Sequence, residues 1–213
     1  MPGITPEPVE QYLHSLLPRR DRVLTDMEAL AKEERIPIVG PLVGRLFYLL
    51  ATTHRAKRVF ELGSAIGYST IWWARAVGPR GRVFYTDGDP KNAERASAFV
   101  RRAGVAGRVT ILVGDALTLL KSTPGQFDII FNDVDKWEYP KVFKQALPRL
   151  KEDGLLVCDN TLWSGRVADP NMNDRDTEAI RSYNQLASKA RGYVTTTLPL
   201  RDGVSITTRA PRA

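Results

Sequence analysis

Apolar positions in the first fifty residues recur at three- and four-residue spacing. "PVEQYLHSLL", "DRVLTDMEALAKEE" and, after Pro37 and Pro41, "PLVGRLFYLLATTH" therefore predict three helices. From residue 58 the rhythm changes. Short apolar runs, "RVFEL" (58–62), "RVFYTD" (82–87), "RVTILVGD" (108–115), "FDIIFND" (127–133) and "GLLVCDN" (154–160), predict strands. Helical stretches stand between them: "STIWWARAV" (69–77), "PKNAERASAFVRRAG" (90–104) opened by Pro90 and stopped by Gly104, "ALTLLKS", and "YPKVFKQALPRL" (139–150). Strand alternating with helix implies βαβ units, a parallel sheet and right-handed crossovers. One long helix, "DTEAIRSYNQLASKARG", precedes two strand-like runs, "YVTTTLPL" and "GVSITTRA", separated by "RDG", a hairpin signal. The expectation is an α/β fold: seven strands, five of them parallel, closed by an antiparallel hairpin, with helices on both faces. One domain is expected over 1–213, with 1–50 as a helical N-terminal extension and 58–213 as the sheet core.

Composition narrows the class without naming a function. The chain of 213 residues is 43% hydrophobic and 26% charged, as a soluble globular protein is. No apolar run nears the roughly 20 residues a membrane span needs, and "MPGITPEPVEQYL" lacks a basic-then-apolar signal pattern. Cys158 is the only cysteine, which excludes an intramolecular disulfide and points to the cytoplasm. Lys and Arg outnumber Asp and Glu by 31 to 24, a balance of +7 that raises nucleic acid as a partner. The basic residues are scattered, with no long run or tail, so a solvated surface is the better reading.

Ligands of doubly wound sheets bind at the carboxyl ends of the strands. After the first strand stands "ELGSAIGYS", carrying Glu61, Gly63, Gly67, Tyr68 and Ser69. Its glycines permit close ligand approach, and the helix that follows offers free N–H groups to an anion. After the second strand stand Asp87 and Asp89, placed to accept from ribose hydroxyls. After the third comes Asp115. Gly63-x-x-x-Gly67 lacks the middle glycine of a dinucleotide fingerprint, so a nucleoside ligand without a pyrophosphate, such as S-adenosylmethionine, suits it better. A glycine-rich loop alone fits chain turning equally well; the acidic residue after the next strand tips the balance.

The fourth strand ends in Asp133, Asp135 and Lys136, and the fifth in Asp159 and Asn160. Each loop alone is explained by turns and caps. Side by side in a parallel sheet, Asp133, Asp159 and Asn160 supply three oxygens of the kind a hard cation such as Mg²⁺ takes. Lys136 lies three residues past Asp133, and nearby positive charge or burial makes lysine a better base; pairing with Asp135 or Glu138 on the surface is the alternative. His14 and His54 fall outside these loops, and Trp72 and Trp73 read as core or interface.

The stretches "VFELGSAIGYSTIWWA", "GRVFYTDGDP", "RAGVAGRVTILVGDAL", "FDIIFNDVDKWEYP" and "GLLVCDNTLWSGRVADP" resemble the cation-dependent O-methyltransferases, the family of caffeoyl-CoA and catechol O-methyltransferase, in its bacterial branch. "IPIVGPLVGRLFYLL" is similar to the family's cofactor-covering segment. The resemblance implies a Rossmann-like class I S-adenosylmethionine-dependent methyltransferase fold. It implies that Glu61, Gly63, Ser64, Tyr68, Ser69, Asp87 and Gly88 hold the amino-acid and ribose parts of S-adenosylmethionine. Val39, Asp115, Ala116, Asp133 and Asp135 complete that pocket. Asp133, Asp159 and Asn160 bind Mg²⁺ or another divalent cation such as Mn²⁺ or Ca²⁺, and Lys136, with Asp133, is catalytic as the general base. Ser164 stands where plant members carry a substrate-contacting Asn, and "ADPNMNDRD" looks like the bacterial loop; both point to a small phenolic acceptor rather than caffeoyl-CoA. The family also implies a homodimer. An RNA methyltransferase on the same fold and a non-catalytic relative are the alternatives; "NDVDKW" is not the acidic-aromatic loop of the first, and intact Asp133, Lys136, Asp159 and Asn160 argue against the second.

Overall fold

The structure, a computed structural model, describes residues 4–211; the ends of the expected 1–50 and 58–213 stretches lie outside them. Helices α1 (Glu7–Ser15), α2 (Arg22–Glu34) and α3 (Gly40–Thr53) come first. Then strand and helix alternate: β1 (Arg58–Leu62), α4 (Tyr68–Ala76), β2 (Arg82–Asp87), α5 (Pro90–Arg102), β3 (Val109–Val113), α6 (Ala116–Ser122), β4 (Phe127–Asn132), α7 (Tyr139–Ala146), β5 (Leu150–Cys158). Helix α8 (Arg175–Lys189) leads into the hairpin β6 (Tyr193–Leu198) and β7 (Val204–Arg209). Among the described residues no helix is long and apolar enough to cross a membrane.

All seven strands form one sheet in the order β3-β2-β1-β4-β5-β7-β6, with β1 to β5 parallel and β7 antiparallel to both β5 and β6. The hairpin therefore inserts its second strand next to β5. The strand order reverses between β1 and β4. Those two strands read as continuous apolar runs because both faces of each are covered; β4 is buried at every position. On one face Phe47 of α3 stacks on Trp73 of α4 with ring centres 4.3 Å apart, and both pack on Phe131. Trp73 is thus core. On the other face Phe60 and Phe127 meet the helices α6 to α8, where Tyr139 and Tyr183 pack edge to face. α2 buries Leu24 and Met27 in the first cluster, so the N-terminal helices α2 and α3 are built into the core; α1 buries nothing.

Two boundaries differ from the sequence reading. The helix expected over 139–150 stops at Ala146 and tightens into a 3-10 turn, Leu147–Arg149, around Pro148, which has no N–H to continue the helical hydrogen bonds. β5 starts at Leu150 rather than at 154, because buried Leu150 pairs with Phe127 across a register shift.

Candidate functional site

Where the strand order reverses, the carboxyl ends of the strands open onto a cleft of about 1160 Å³. The β1–α4 loop forms its floor. Gly63 sits at φ 79°, and a Cβ there would lie 2.6 Å from the Asp133 carbonyl oxygen, so only glycine lets the β1 and β4 ends touch. The Asp133 N–H donates to the Leu62 carbonyl at 2.8 Å and locks that contact. The Asp87 carboxylate clamps the loop from the side: it accepts from the Ala65 N–H at 2.9 Å, the Asp89 N–H at 2.8 Å and the Asn92 amide at 3.2 Å. A carboxylate has about four acceptor positions, so Asp87 keeps capacity for a ligand.

Ser64, Tyr68, Ser69, Asp87, Gly88, Asp115, Ala116, Asp135 and Val39 all line the cleft, Val39 together with the preceding Ile36, Pro37 and Ile38. Asp115 also caps α6, accepting from the Thr118 N–H at 2.7 Å, and the Thr118 hydrogen bonds hold its carboxyl below the usual range. Tyr68 is tied to α2 by its hydroxyl, 2.6 Å from Glu28 Oε1. Glu61 is different. It is fully buried beneath the loop and does not line the cleft. Its Oε2 accepts from the hydroxyls of Ser64, at 3.2 Å, and Thr70, while Oε1 is buried with no partner. Burial pushes its pKa up to about 7, against the pull of the Ser69, Thr70 and Ser64 hydroxyls.

At the other end of the cleft Lys136 Nζ donates to Asp133 Oδ1 at 2.8 Å and to the Tyr139 hydroxyl at 3.0 Å. It pairs with Asp133, not with Asp135 or Glu138. The Tyr139 hydroxyl donates onward to the Asp159 carbonyl at 3.0 Å. Burial holds Tyr139 well above the usual phenol range, so it stays a neutral donor. Asp159 is fully buried; burial first, then the charge of Asp133, raises its pKa, and Arg201 opposes the rise. Its Oδ1 has no partner. Asn160 takes a left-handed conformation, φ 56°, and gives its amide N–H groups to both oxygens of Asp202, each at 3.0 Å. That leaves its Oδ1 as the remaining polar atom.

Asp133, Asp159 and Asn160 all line the cleft. Among the described residues no three His, Cys, Asp or Glu side chains form a ligating cluster; the set here is two carboxylates and an amide. An orphaned buried carboxylate oxygen beside a second carboxylate is a strongly electronegative place, and an all-oxygen donor set is the kind Mg²⁺ takes. The residues fit such an ion.

Three participants escaped the sequence reading. Tyr139 looked only like a helix start. Arg201 and Asp202 looked only like the "RDG" turn, but pairing of β7 with β5 swings that turn onto Asn160 and Asp159. The signal that could have found them is an Asp in a turn that glycine or Asn would serve. Trp137 is 42% exposed and stacks under the Arg175 guanidinium, 4.4 Å from its ring, outside the cleft lining; Trp163 lines the cleft instead, with Lys136 Nζ 5.8 Å from its ring.

Comparison with known proteins agrees with this architecture. Residues 21–210 match the O-methyltransferase family. A catechol O-methyltransferase of Niastella koreensis is 36% identical over 84% of each chain, and one of Mycobacterium tuberculosis 35% identical over 91% of this chain and 89% of that one. Among solved structures, an O-methyltransferase from Streptomyces achromogenes, determined with S-adenosylmethionine, superposes with a TM-score of 0.86 at 30% identity, covering 96% of both chains. One from Bacillus cereus, determined with S-adenosylhomocysteine, gives 0.86 at 29% identity over 95% of this chain and 97% of that one.

Proposed function

The chain belongs to the O-methyltransferase family, and from that premise we propose that it transfers a methyl group from S-adenosylmethionine to one hydroxyl of a small catechol-like vicinal diol, with help from a divalent cation such as Mg²⁺. The observation that carries this reading is one continuous cleft whose lining includes the Gly63 loop, Asp87 and Asp115 together with Asp133, Asp159, Asn160 and Lys136. The relatives' names, catechol and caffeoyl-CoA O-methyltransferase, support a phenolic acceptor over RNA.

Each residue has a job in this reading. Asp87 and Asp115 hold the ribose and adenine side of the cofactor, the Gly63–Ser69 loop its amino-acid tail, and the Ile36–Val39 stretch covers it. Glu61 acts from below by fixing the hydroxyls of Ser64 and Thr70. Asp133, Asp159 and Asn160 hold the cation, which when bound supplies Lewis acidity that favours the phenolate form of a diol oxygen. Lys136 Nζ, acting as a neutral amine, takes the phenol proton and becomes an ammonium, steadied by Asp133 and the Tyr139 hydroxyl. The phenolate oxygen then forms a bond to the methyl carbon as the carbon–sulfur pair returns to sulfur. A cleft that excludes water favours this step, because opposite charges cancel on the way to products.

Exposed Tyr12 on α1, Leu16 just past its end and Leu49 on α3 support a homodimer, and a lone buried Cys158 suits the cytoplasm. An acceptor screen tests the central reading: catechol and substituted catechols accept methyl groups, and their monohydroxy analogues do not. Equal turnover of phenol and catechol refutes it.

A further inference from the structure

Arg201 stands in the β6–β7 turn at φ 57°, a conformation that disfavours any side chain with a Cβ. The turn is clamped. Arg201 accepts at its carbonyl from the Ile4 N–H at 2.9 Å, and the Leu162 and Trp163 N–H groups donate to the Asp202 carbonyl at 2.8 and 3.0 Å. Asp202 itself is fully buried and holds Asn160. Glycine would serve such a turn with less strain, so it is the guanidinium, not the backbone, that the position uses. That guanidinium reaches Asp159: Nη1 lies 3.4 Å from Oδ2, with the Asp159 side chain 1% exposed and the arginine 22% exposed.

The charges around this contact do not balance. Asp133, Asp159 and Asp202 bring three negative charges; Lys136 and Arg201 bring two positive ones. A divalent cation among these groups turns an excess of one negative charge into an excess of one positive charge. Lys136 is tied down by Asp133 and Tyr139 and is 12% exposed, whereas Arg201 makes one longer contact and is 22% exposed. Arg201 is the member free to leave.

We propose that Arg201 is a built-in counter-cation of the metal site, holding Asp159 until a divalent ion displaces it, and so lowering the site's affinity for that ion. The inference rests on the cation part of the proposed function. It makes Arg201 a positioning residue that acts through Asp159.

The test is a titration of cofactor-free protein with Mn²⁺, followed by calorimetry and by the loss of the free-ion electron paramagnetic resonance signal. Arg201→Gly suits the backbone and removes the charge; Arg201→Asn, which also accepts positive φ, is the second neutral variant. Both are expected to bind Mn²⁺ about tenfold more tightly than the parent, while Arg201→Lys stays within about threefold of it. Unchanged affinity in the neutral variants overturns the proposal and leaves the metal site standing. An Arg201→Lys protein that binds as tightly as Arg201→Gly also overturns it, because the effect is then not one of charge. No Mn²⁺ binding by any of the four proteins removes the metal site, and the proposal with it.

Discussion

Nζ of Lys136 lies 2.8 Å from Oδ1 of Asp133. The residue proposed to take the proton is therefore fastened to a residue proposed to hold the cation. Its second partner, the Tyr139 hydroxyl, is in turn bonded to the Asp159 carbonyl, so base and cation site share one hydrogen-bonded frame.

Lys136→Ala is expected to lower kcat by about 10²–10⁴-fold, the usual contribution of a positioned general base, with S-adenosylmethionine affinity changed less than about threefold. Steady-state rates with catechol and calorimetry with the cofactor check the two halves. Cofactor affinity falling in step with kcat would mean that Lys136 is structural.

Asp202→Ala leaves the Asn160 amide without its two acceptors. Partners that orient metal-holding side chains usually account for about 10–100-fold in affinity, and a loss of that size in Mn²⁺ binding is expected. Binding equal to the parent's would show that Asn160 is held by its own backbone alone.

Gly63→Ala puts a Cβ 2.6 Å from the Asp133 carbonyl oxygen at φ 79°. The left-handed backbone and the clash together are expected to cost roughly 2 kcal/mol of stability and to weaken S-adenosylmethionine binding. Chemical denaturation and a cofactor titration measure both.

Glu61 gives the pH signature. Burial lifts its pKa from 4.5 to about 7, so the folded chain binds the proton more tightly than the unfolded chain does. The stability linked to that proton is fully present below about 4.5 and is lost as pH rises through 7. Against Glu61→Gln, the cofactor-free parent should lose at least roughly 2–4 °C in melting temperature between pH 5 and pH 8. A gap that does not move with pH would mean that Glu61 is ionised at neither end or at both.

The strands of this fold were legible because each parallel strand is a short apolar run that ends in chemistry: "RVFEL" before Gly63, "RVFYTD" closing on Asp87, "FDIIFN" before Asp133, "LLVC" before Asp159. Position at the carboxyl edge did the rest, since the reversal of strand order brings the Gly63 and Asp133 loops into contact. Long-range geometry was not legible. Arg201 and Asp202 reach the site only because β7, not β6, pairs with β5, and a hairpin motif carries no information about which of its strands inserts. Glu61 shows a second limit. Sequence puts it at the end of a strand, but only packing reveals that it sits beneath the loop, bonded to Ser64 and Thr70, instead of in the cleft wall.

The central claim is that Asp133, Asp159 and Asn160 hold a cation needed for O-methylation of a vicinal diol. The most direct measurement is the initial rate of catechol methylation by S-adenosylmethionine as free Mg²⁺ is raised from zero in an EDTA buffer. The account expects no turnover without free metal, a saturable rise as Mg²⁺ is added, and no rise in Asp133→Ala. Full turnover in excess EDTA would contradict it.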